Sequence, residues 1–276
     1  MKAALLQLNV SDDPATNLAG TLDMVRQASG AGATFILTPE VTNCVSTNRD
    51  HQRQVLTRED DDLTLRTLRD AAAECAVHLV IGSLALATDD PDGRFANRSF
   101  LIGPDGDIIA RYDKIHMFDV EISDTETYRE SAGYRPGTCA VIAQTPFATI
   151  GMAVCYDMRF PRLSDALVSA GAEILTYPSA FSPVTGAAHW HSLLRARAIE
   201  SGTWVLAPAQ TGLHSSNLHT PRRTYGHSLA VNPWGEVVLD AGDRPGVYMF
   251  DLEMDAVADA RRRIPSRDNA RKFDGP

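Results

Sequence analysis

Short apolar runs alternate with amphipathic stretches along this chain, the pattern of buried strands interleaved with surface helices. Residues 2–10 (KAALLQLNV) predict a buried strand, and residues 17–29 carry Leu18, Leu22, Met24 and Val25 at helical spacing. Residues 34–40 (TFILTPE) predict the next strand, which ends at a proline and a carboxylate. Residues 61–76 predict a helix and residues 78–87 (HLVIGSLALA) another buried strand. In RSFLIGPDGDIIARYDK, Pro104-Asp105-Gly106 stands between two alternating apolar runs, the chemistry of a hairpin turn.

The second half repeats the scheme. Residues 148–157 (ATIGMAVCYD) predict a strand that stops at a cysteine, and residues 160–171 have the proline entry and glycine exit of a helix. AEILTYPSAF predicts a strand, AAHWHSLLRARAIESG a helix and TWVLAPAQTG a strand. A hairpin around Asn232-Pro233-Trp234-Gly235 and a last strand, GVYMFDLEM, follow. Two halves that each read β-α-β plus a hairpin imply a layered α/β protein. No linker divides the chain, so one domain over residues 1–276 is expected. The charged, proline-broken tail after the last strand, including about residues 265–276, is expected to be loose or held by a partner subunit.

Composition narrows the function. The 276 residues are 44% hydrophobic and carry a formal charge of -9, which opposes nucleic-acid binding because phosphates require a basic face. The opening residues are too weakly apolar and basic for a signal peptide, and no apolar run is long enough for a membrane span, so a cytoplasmic protein is expected. The four cysteines, Cys44, Cys75, Cys139 and Cys155, form no CxxC pair and suggest neither a zinc site nor a disulfide framework. Among 26 cationic residues only Lys2, Lys114 and Lys272 are lysines, and only Lys114 lies in the body of the chain.

Strand ends are where α/β proteins place reactive groups. Three predicted strands end in Glu40, Lys114 and Cys155, a carboxylate, an ammonium and a thiol. Together these are the parts of a thiol acyl-transfer site, with a nucleophile, a proton acceptor and an oxyanion stabiliser. Taken singly, each has a bland explanation: a buried cysteine is a small hydrophobe, a glutamate after proline a loop residue, a lysine a solvated group. His189 and His191 form an HxH pair, but residues two apart on a helix face apart, so a shared ion would need further ligands. No metal or other cofactor is implied, and no GxSxG, P-loop or GxGxxG pattern occurs.

At this point the residues resemble a known family. Leu37-Thr38-Pro39-Glu40, Tyr112-Asp113-Lys114-Ile115-His116 and the run from Gly151 to Pro161 (GMAVCYDMRFP) are similar to the glutamate, lysine and cysteine blocks of the nitrilase superfamily, the carbon–nitrogen hydrolases, in that order. Further matches run through LTYPSAF, His189-Trp190, RARAIE, Tyr225-Gly226-His227-Ser228 and Asn232-Pro233-Trp234-Gly235. The resemblance implies a four-layer α-β-β-α sandwich, pairing into homodimers or higher homo-oligomers through the helical layer. It also implies a second glutamate, which Tyr128-Arg129-Glu130-Ser131 places at Glu130.

In that scheme Cys155 attacks an amide carbon, Glu40 moves the proton, and Lys114 with the Tyr156 backbone N–H receives the oxyanion; Glu130 holds Lys114 and Glu40 in place. Burial is expected to raise the Glu40 pKa toward working pH. The blocks resemble the branch of omega-amidases and deaminated-glutathione amidases, which implies a small carboxylated amide as substrate. Arg159 is the expected cation for that carboxylate, with a structural pair to Asp157 as the alternative, and Phe181 is expected beside the substrate. N-carbamoyl-amide hydrolysis or nitrilase chemistry remain alternatives on the same catalytic residues, and a non-catalytic scaffold is the alternative of another class. Val41-Thr42-Asn43-Cys44 and SSNLHTPRRT before Tyr225 depart from the family pattern and are candidates to line the pocket.

Overall fold

The first half of the chain forms β1 (Lys2–Gln7), α1 (Pro14–Gly30), β2 (Phe35–Leu37), α2 (Arg49–Val55), α3 (Leu63–Cys75), β3 (His78–Leu86), β4 (Ala96–Ile102) and β5 (Ile108–Asp113). A ribbon of β6 (Asp119–Ser123) and β7 (Glu126–Arg129) leads to β8 (Val141–Gln144), β9 (Thr149–Met152), α4 (Pro161–Ser169), β10 (Ile174–Thr176), α5 (Pro183–Ser201) and β11 (Trp204–Ala207). The chain closes with β12 (Thr211–Leu213), β13 (Arg223–Tyr225), β14 (Leu229–Val231), β15 (Val237–Asp240), β16 (Gly246–Asp251) and α6 (Asp255–Arg263). This computed structural model describes residues 1–123, 126–216 and 222–275.

One six-stranded sheet runs β16-β1-β2-β3-β4-β5 and the other β15-β14-β11-β10-β9-β8, each with three parallel strands at its centre and antiparallel strands outside. The alternation of side chains along a strand assigns their faces. Ala3, Leu5, Phe35, Leu37, Val80 and Leu101 join Ile150, Met152 and Leu206 of the second sheet in one core. Their neighbours Ala4, Leu6, Ile36, Leu79, Ile81 and Phe100 pack with Val25 and Ala28 of α1 and Leu65, Leu68 and Ala72 of α3. Leu163 and Leu167 of α4 and Trp190 and Leu194 of α5 cover the second sheet. The result is the expected α-β-β-α sandwich, and a one-residue slip of a central strand would turn one core into the other.

Both anticipated hairpins form, β4 to β5 and β14 to β15. The last strand also forms, but β16 returns to the first sheet and pairs with β1. The tail is more ordered than expected at its start, because Arg261, Arg262 and Arg263 complete the last turn of α6, where cations suit the helix C-terminus. No helix of the described residues is long and apolar enough to cross a membrane.

Gly82 allows the close approach on which the site depends. A Cβ there would stand 2.0 Å from the Thr38 carbonyl oxygen and 2.5 Å from both the Pro39 carbonyl oxygen and Pro178 Cβ. Only glycine lets β3 pass against the loop that carries Glu40.

Candidate active site

Glu40, Lys114, Glu130 and Cys155 come from four segments and meet where the two sheets end. Glu40 lies just beyond β2, Lys114 directly follows β5, and Glu130 and Cys155 each open a short 3-10 turn, after β7 and β9 respectively. Two cross-sheet bonds fix this convergence, the Ala180 N–H donating to Glu40 Oε2 at 2.8 Å and Gln210 Nε2 to the Glu40 carbonyl at 3.0 Å, while within the second sheet the Cys155 N–H donates to the Pro178 carbonyl at 2.9 Å. Cys155 and Val41, the residue after Glu40, both have φ of 48°, in the left-handed region that β-branched residues rarely enter. Such strain costs about 1–3 kcal/mol per residue and persists where surrounding bonds enforce it. At Val41 the Ser83 hydroxyl does so, accepting its N–H at 2.8 Å.

Lys114 is buried, and its ammonium donates to Glu40 Oε1 at 2.9 Å and to the two Glu130 oxygens at 2.9 and 2.8 Å. Asn97 Nδ2 bridges the same carboxylates, at 2.9 Å to Glu40 and 3.3 Å to Glu130, and the Phe118 N–H donates to Glu130 at 2.6 Å. Burial alone would lower the Lys114 pKa, but Glu130 and Glu40 outweigh it and hold the ammonium well above its ordinary value. Glu40 corrects the expectation from sequence. Burial pushes its pKa up, yet Lys114, with Arg222 and the Asn97 amide, outweighs burial and holds the carboxyl below its ordinary value. It is therefore an ionised acceptor at neutral pH. The Cys155 thiol is pushed up, first by burial and then by the charge of Glu40, while the Lys114 ammonium opposes the shift. The resting pair is thiol and carboxylate.

Asp157, fully buried, is the anchor that sequence reading undervalued. It accepts the Tyr112 hydroxyl at 2.6 Å, His116 Nδ1 at 2.7 Å, and the His116 and Val154 N–H groups at 3.0 and 2.9 Å. These bonds lock the cysteine turn to the lysine strand, and they also occupy His116, which stacks on Phe160 at 3.5 Å.

The four residues open onto a cavity of about 330 Å³ whose lining includes Cys44, Arg49, Phe118, Tyr128, Tyr134, Phe181 and Arg222. Phe181, expected beside the substrate, lines this cavity. Arg159 does not line it, because the 3-10 turn after Cys155 carries it to the side of α5, where Nη2 donates to His189 Nδ1 at 3.2 Å. Its alternative partner, Asp157, is occupied by the donors named above. Tyr156 also lies outside the lining, its ring edge-on to Phe118 and Phe160, so only its backbone is a candidate. Arg222, from the segment before Tyr225 that was expected to help line the pocket, is a cation on the cavity wall that was not singled out; residues 217–221 of that segment lie outside the described residues.

Cys44 does line the cavity, as the departure at residues 41–44 suggested, but its thiol donates to the Asp12 carbonyl at 3.4 Å and is pushed up to about 12 by burial, with Asp12 and Asp13 adding to the shift. The HxH pair separates as helix geometry requires. His191 Nε2 meets Asp240 Oδ2 at 2.9 Å, and His227 Nδ1 meets Asp240 Oδ1 at 2.8 Å, a group away from this cavity whose donor atoms lie within 4.8 Å of one another.

The segment that carries Arg222 is held by a buried histidine. The His214 N–H donates to the Arg222 carbonyl at 2.8 Å, its ring Nδ1–H donates to the Val10 carbonyl at 2.7 Å, and Nε2 then accepts the Thr224 hydroxyl at 2.7 Å. Burial lowers the His214 pKa to about 4. Between about pH 6.5 and 4 the unfolded chain therefore binds a proton that the folded chain does not, so stability falls as pH drops through that window, by about 3 kcal/mol. Denaturant titrations at pH 7 and pH 4.5 are expected to show this loss, and His214→Gln is expected to flatten it; equal slopes in both proteins would contradict the assignment.

Comparison with known proteins agrees with the fold. A family model described as carbon–nitrogen hydrolase matches residues 2–262. The chain is 38% identical over 263 residues to the deaminated glutathione amidase of Yersinia enterocolitica, covering 95% of this chain and 90% of that protein. Among solved structures, the C. elegans NitFhit protein matches with a TM-score of 0.88 at 32% identity, over 98% of this chain and 65% of that one. Saccharomyces cerevisiae Nit3, a member of branch 10 of the nitrilase superfamily, matches with a TM-score of 0.82 at 28% identity, over 96% and 94% of the two chains.

Proposed function

The chain belongs to the carbon–nitrogen hydrolase family, and from that premise we propose that it is an amidase working through a thioester on Cys155. The supporting observation is a buried ammonium shared by two carboxylates, on a cavity that Cys155 lines with them. Cys155 Sγ attacks the amide carbon as its proton passes to Glu40. The oxyanion is received by Lys114 Nζ and by the N–H of Tyr156, the second residue of a 3-10 turn, which has no intrahelical acceptor. Once Glu40 is protonated, Lys114 loses part of its counter-charge and turns more fully to the oxyanion. Collapse breaks the C–N bond and Glu40 returns the proton to the departing amine. Glu40 then takes a proton from water, hydroxide adds to the thioester, and the released thiolate recovers the proton. Glu130, bonded to Lys114 through both oxygens, is a positioning residue.

The substrate in this reading is a small carboxylated amide, of the kind named for the Yersinia relative, deaminated glutathione, or a 2-oxo acid omega-amide. Amine or ammonia release from these, from N-carbamoyl amino acids and from aliphatic nitriles decides the matter. Turnover of the amides above the other classes by at least tenfold in kcat/KM is expected; turnover of nitriles or carbamoyl compounds alone would overturn the branch, and no turnover would favour the scaffold alternative. The same reading includes a homodimer in the cytoplasm. Its support is exposed apolar surface at Val184 and Ile199 of α5 and at Trp234 and Ile264, together with four free cysteines.

A further inference from the structure

We propose that His191, His227 and Asp240 form a site for a divalent transition metal of the zinc class, apart from the Cys155 cavity, which clips helix α5 to the β14–β15 hairpin. None of the three lines that cavity. His191 lies on α5, His227 in the turn between β13 and β14, and Asp240 at the end of β15. The HxH spacing therefore supplies one ligand and not two, because His189 faces away and bonds Arg159. The further ligands that a shared ion would need come from distant segments.

The donor set suits such an ion. His191 Nε2 and His227 Nδ1 meet the two oxygens of one carboxylate at 2.9 and 2.8 Å, and the donor atoms all lie within 4.8 Å of one another. Zinc binds imidazole nitrogen and carboxylate oxygen at about 2.0–2.2 Å, which sets tetrahedral ligand atoms roughly 3.3 Å apart, so small side-chain rotations close the site. The two rings stand at 73°, and their nitrogens reach Asp240 from different directions. Two imidazoles with one carboxylate favour zinc, nickel or copper over magnesium and calcium, which take oxygen ligands. No lysine or arginine ion pair to Asp240 occurs among the described residues, and the three side chains are 28–37% exposed, so an ion reaches them without opening the fold.

Two of the ligands are oriented before an ion arrives. The Gly242 N–H donates to Asp240 Oδ1 at 2.9 Å, the kind of bond that fixes a ligating carboxylate. The His227 ring stacks on Tyr225 with centroids 4.5 Å apart, its N–H donates to the Gly242 carbonyl at 2.6 Å, and its carbonyl accepts the indole N–H of buried Trp190 at 2.8 Å. Metal binding exchanges two N–H···O bonds for two nitrogen–metal bonds, and in each neutral imidazole the hydrogen moves to the other ring nitrogen.

Calorimetric titration of zinc chloride into the metal-free Cys155→Ala protein, in which the reactive thiol cannot compete, tests the site. One zinc per chain with a dissociation constant of about 10 μM or below is expected. His191→Gln, His227→Gln and Asp240→Asn are each expected to weaken uptake by at least about 10-fold, while His189→Gln leaves it unchanged. Zinc is expected to raise the melting temperature of the parent and of His189→Gln, and of none of the three ligand variants. His191→Gln alters a partly exposed helix position, so its result stands even where replacing His227 or Asp240 unfolds the chain. Cobalt in place of zinc is expected to give visible bands without the near-ultraviolet absorption of a thiolate ligand, which separates this site from Cys44, Cys75 and Cys139. Absence of uptake, uptake at parent affinity in His191→Gln, or a thiolate band would overturn the proposal.

Discussion

Replacing Cys155 with alanine is expected to lower kcat on the preferred amide by at least about 10⁴-fold while the protein stays folded. The size follows from the nature of the residue. The acyl group is carried on Sγ in this mechanism, and among the described residues the other thiol lining the cavity, Cys44, is pushed up to about 12 with its hydrogen bond directed to the Asp12 carbonyl. The change in stability is expected to be small by comparison, because the lost sulfur lines a cavity already open to the substrate side. Steady-state kinetics with circular dichroism as the folding control check this; an alanine variant at the parent rate would remove Cys155 from the mechanism.

Lys114→Arg is expected to cost about 10²- to 10³-fold in kcat, the usual loss when an oxyanion donor is removed, although formal charge is conserved. Three bonds of 2.8–2.9 Å converge on one Nζ, and that atom is surrounded by Glu40, Glu130 and the thiol. A planar fork on a longer stem cannot occupy the place of this compact charge without displacing a carboxylate. Arginine is more informative than methionine here. An apolar replacement would leave two buried carboxylates uncompensated, at about 3–5 kcal/mol, and loss of activity would then be confounded with unfolding. A Lys114→Arg protein with full activity would show that the single interior lysine reflects composition and not chemistry.

Much of the architecture was legible because its strands are buried on both faces and read as continuous apolar runs, as in residues 78–87. The elements that escaped notice are polar: the exposed β6–β7 ribbon, charged α2, and α6, whose three terminal arginines resemble a tail. Glu40, Lys114, Glu130 and Cys155 were readable from their blocks. Their surroundings were not, for identifiable reasons. The Ala180 N–H that bonds Glu40 is backbone, and backbone donors leave no residue signature. Asn97 sits inside a strand pattern where its amide looks like an outward polar position. Arg159, four residues beyond Cys155, seemed the nearest cation, but proximity in sequence is undone by a tight turn, and Arg222 reaches the cavity from a distant segment. The Glu40 pKa was misjudged because burial was weighed without the ammonium 2.9 Å away.

The most direct test of the account is the mass of the protein during turnover. Wild-type enzyme mixed with comparable substrate, quenched in acid across the first turnovers and measured intact and after digestion, is expected to show a transient gain equal to the acyl part of the substrate, confined to the peptide containing Cys155. An adduct on Cys44 or any other residue, or an unmodified mass from the first turnover to the steady state while amine is released, would contradict it.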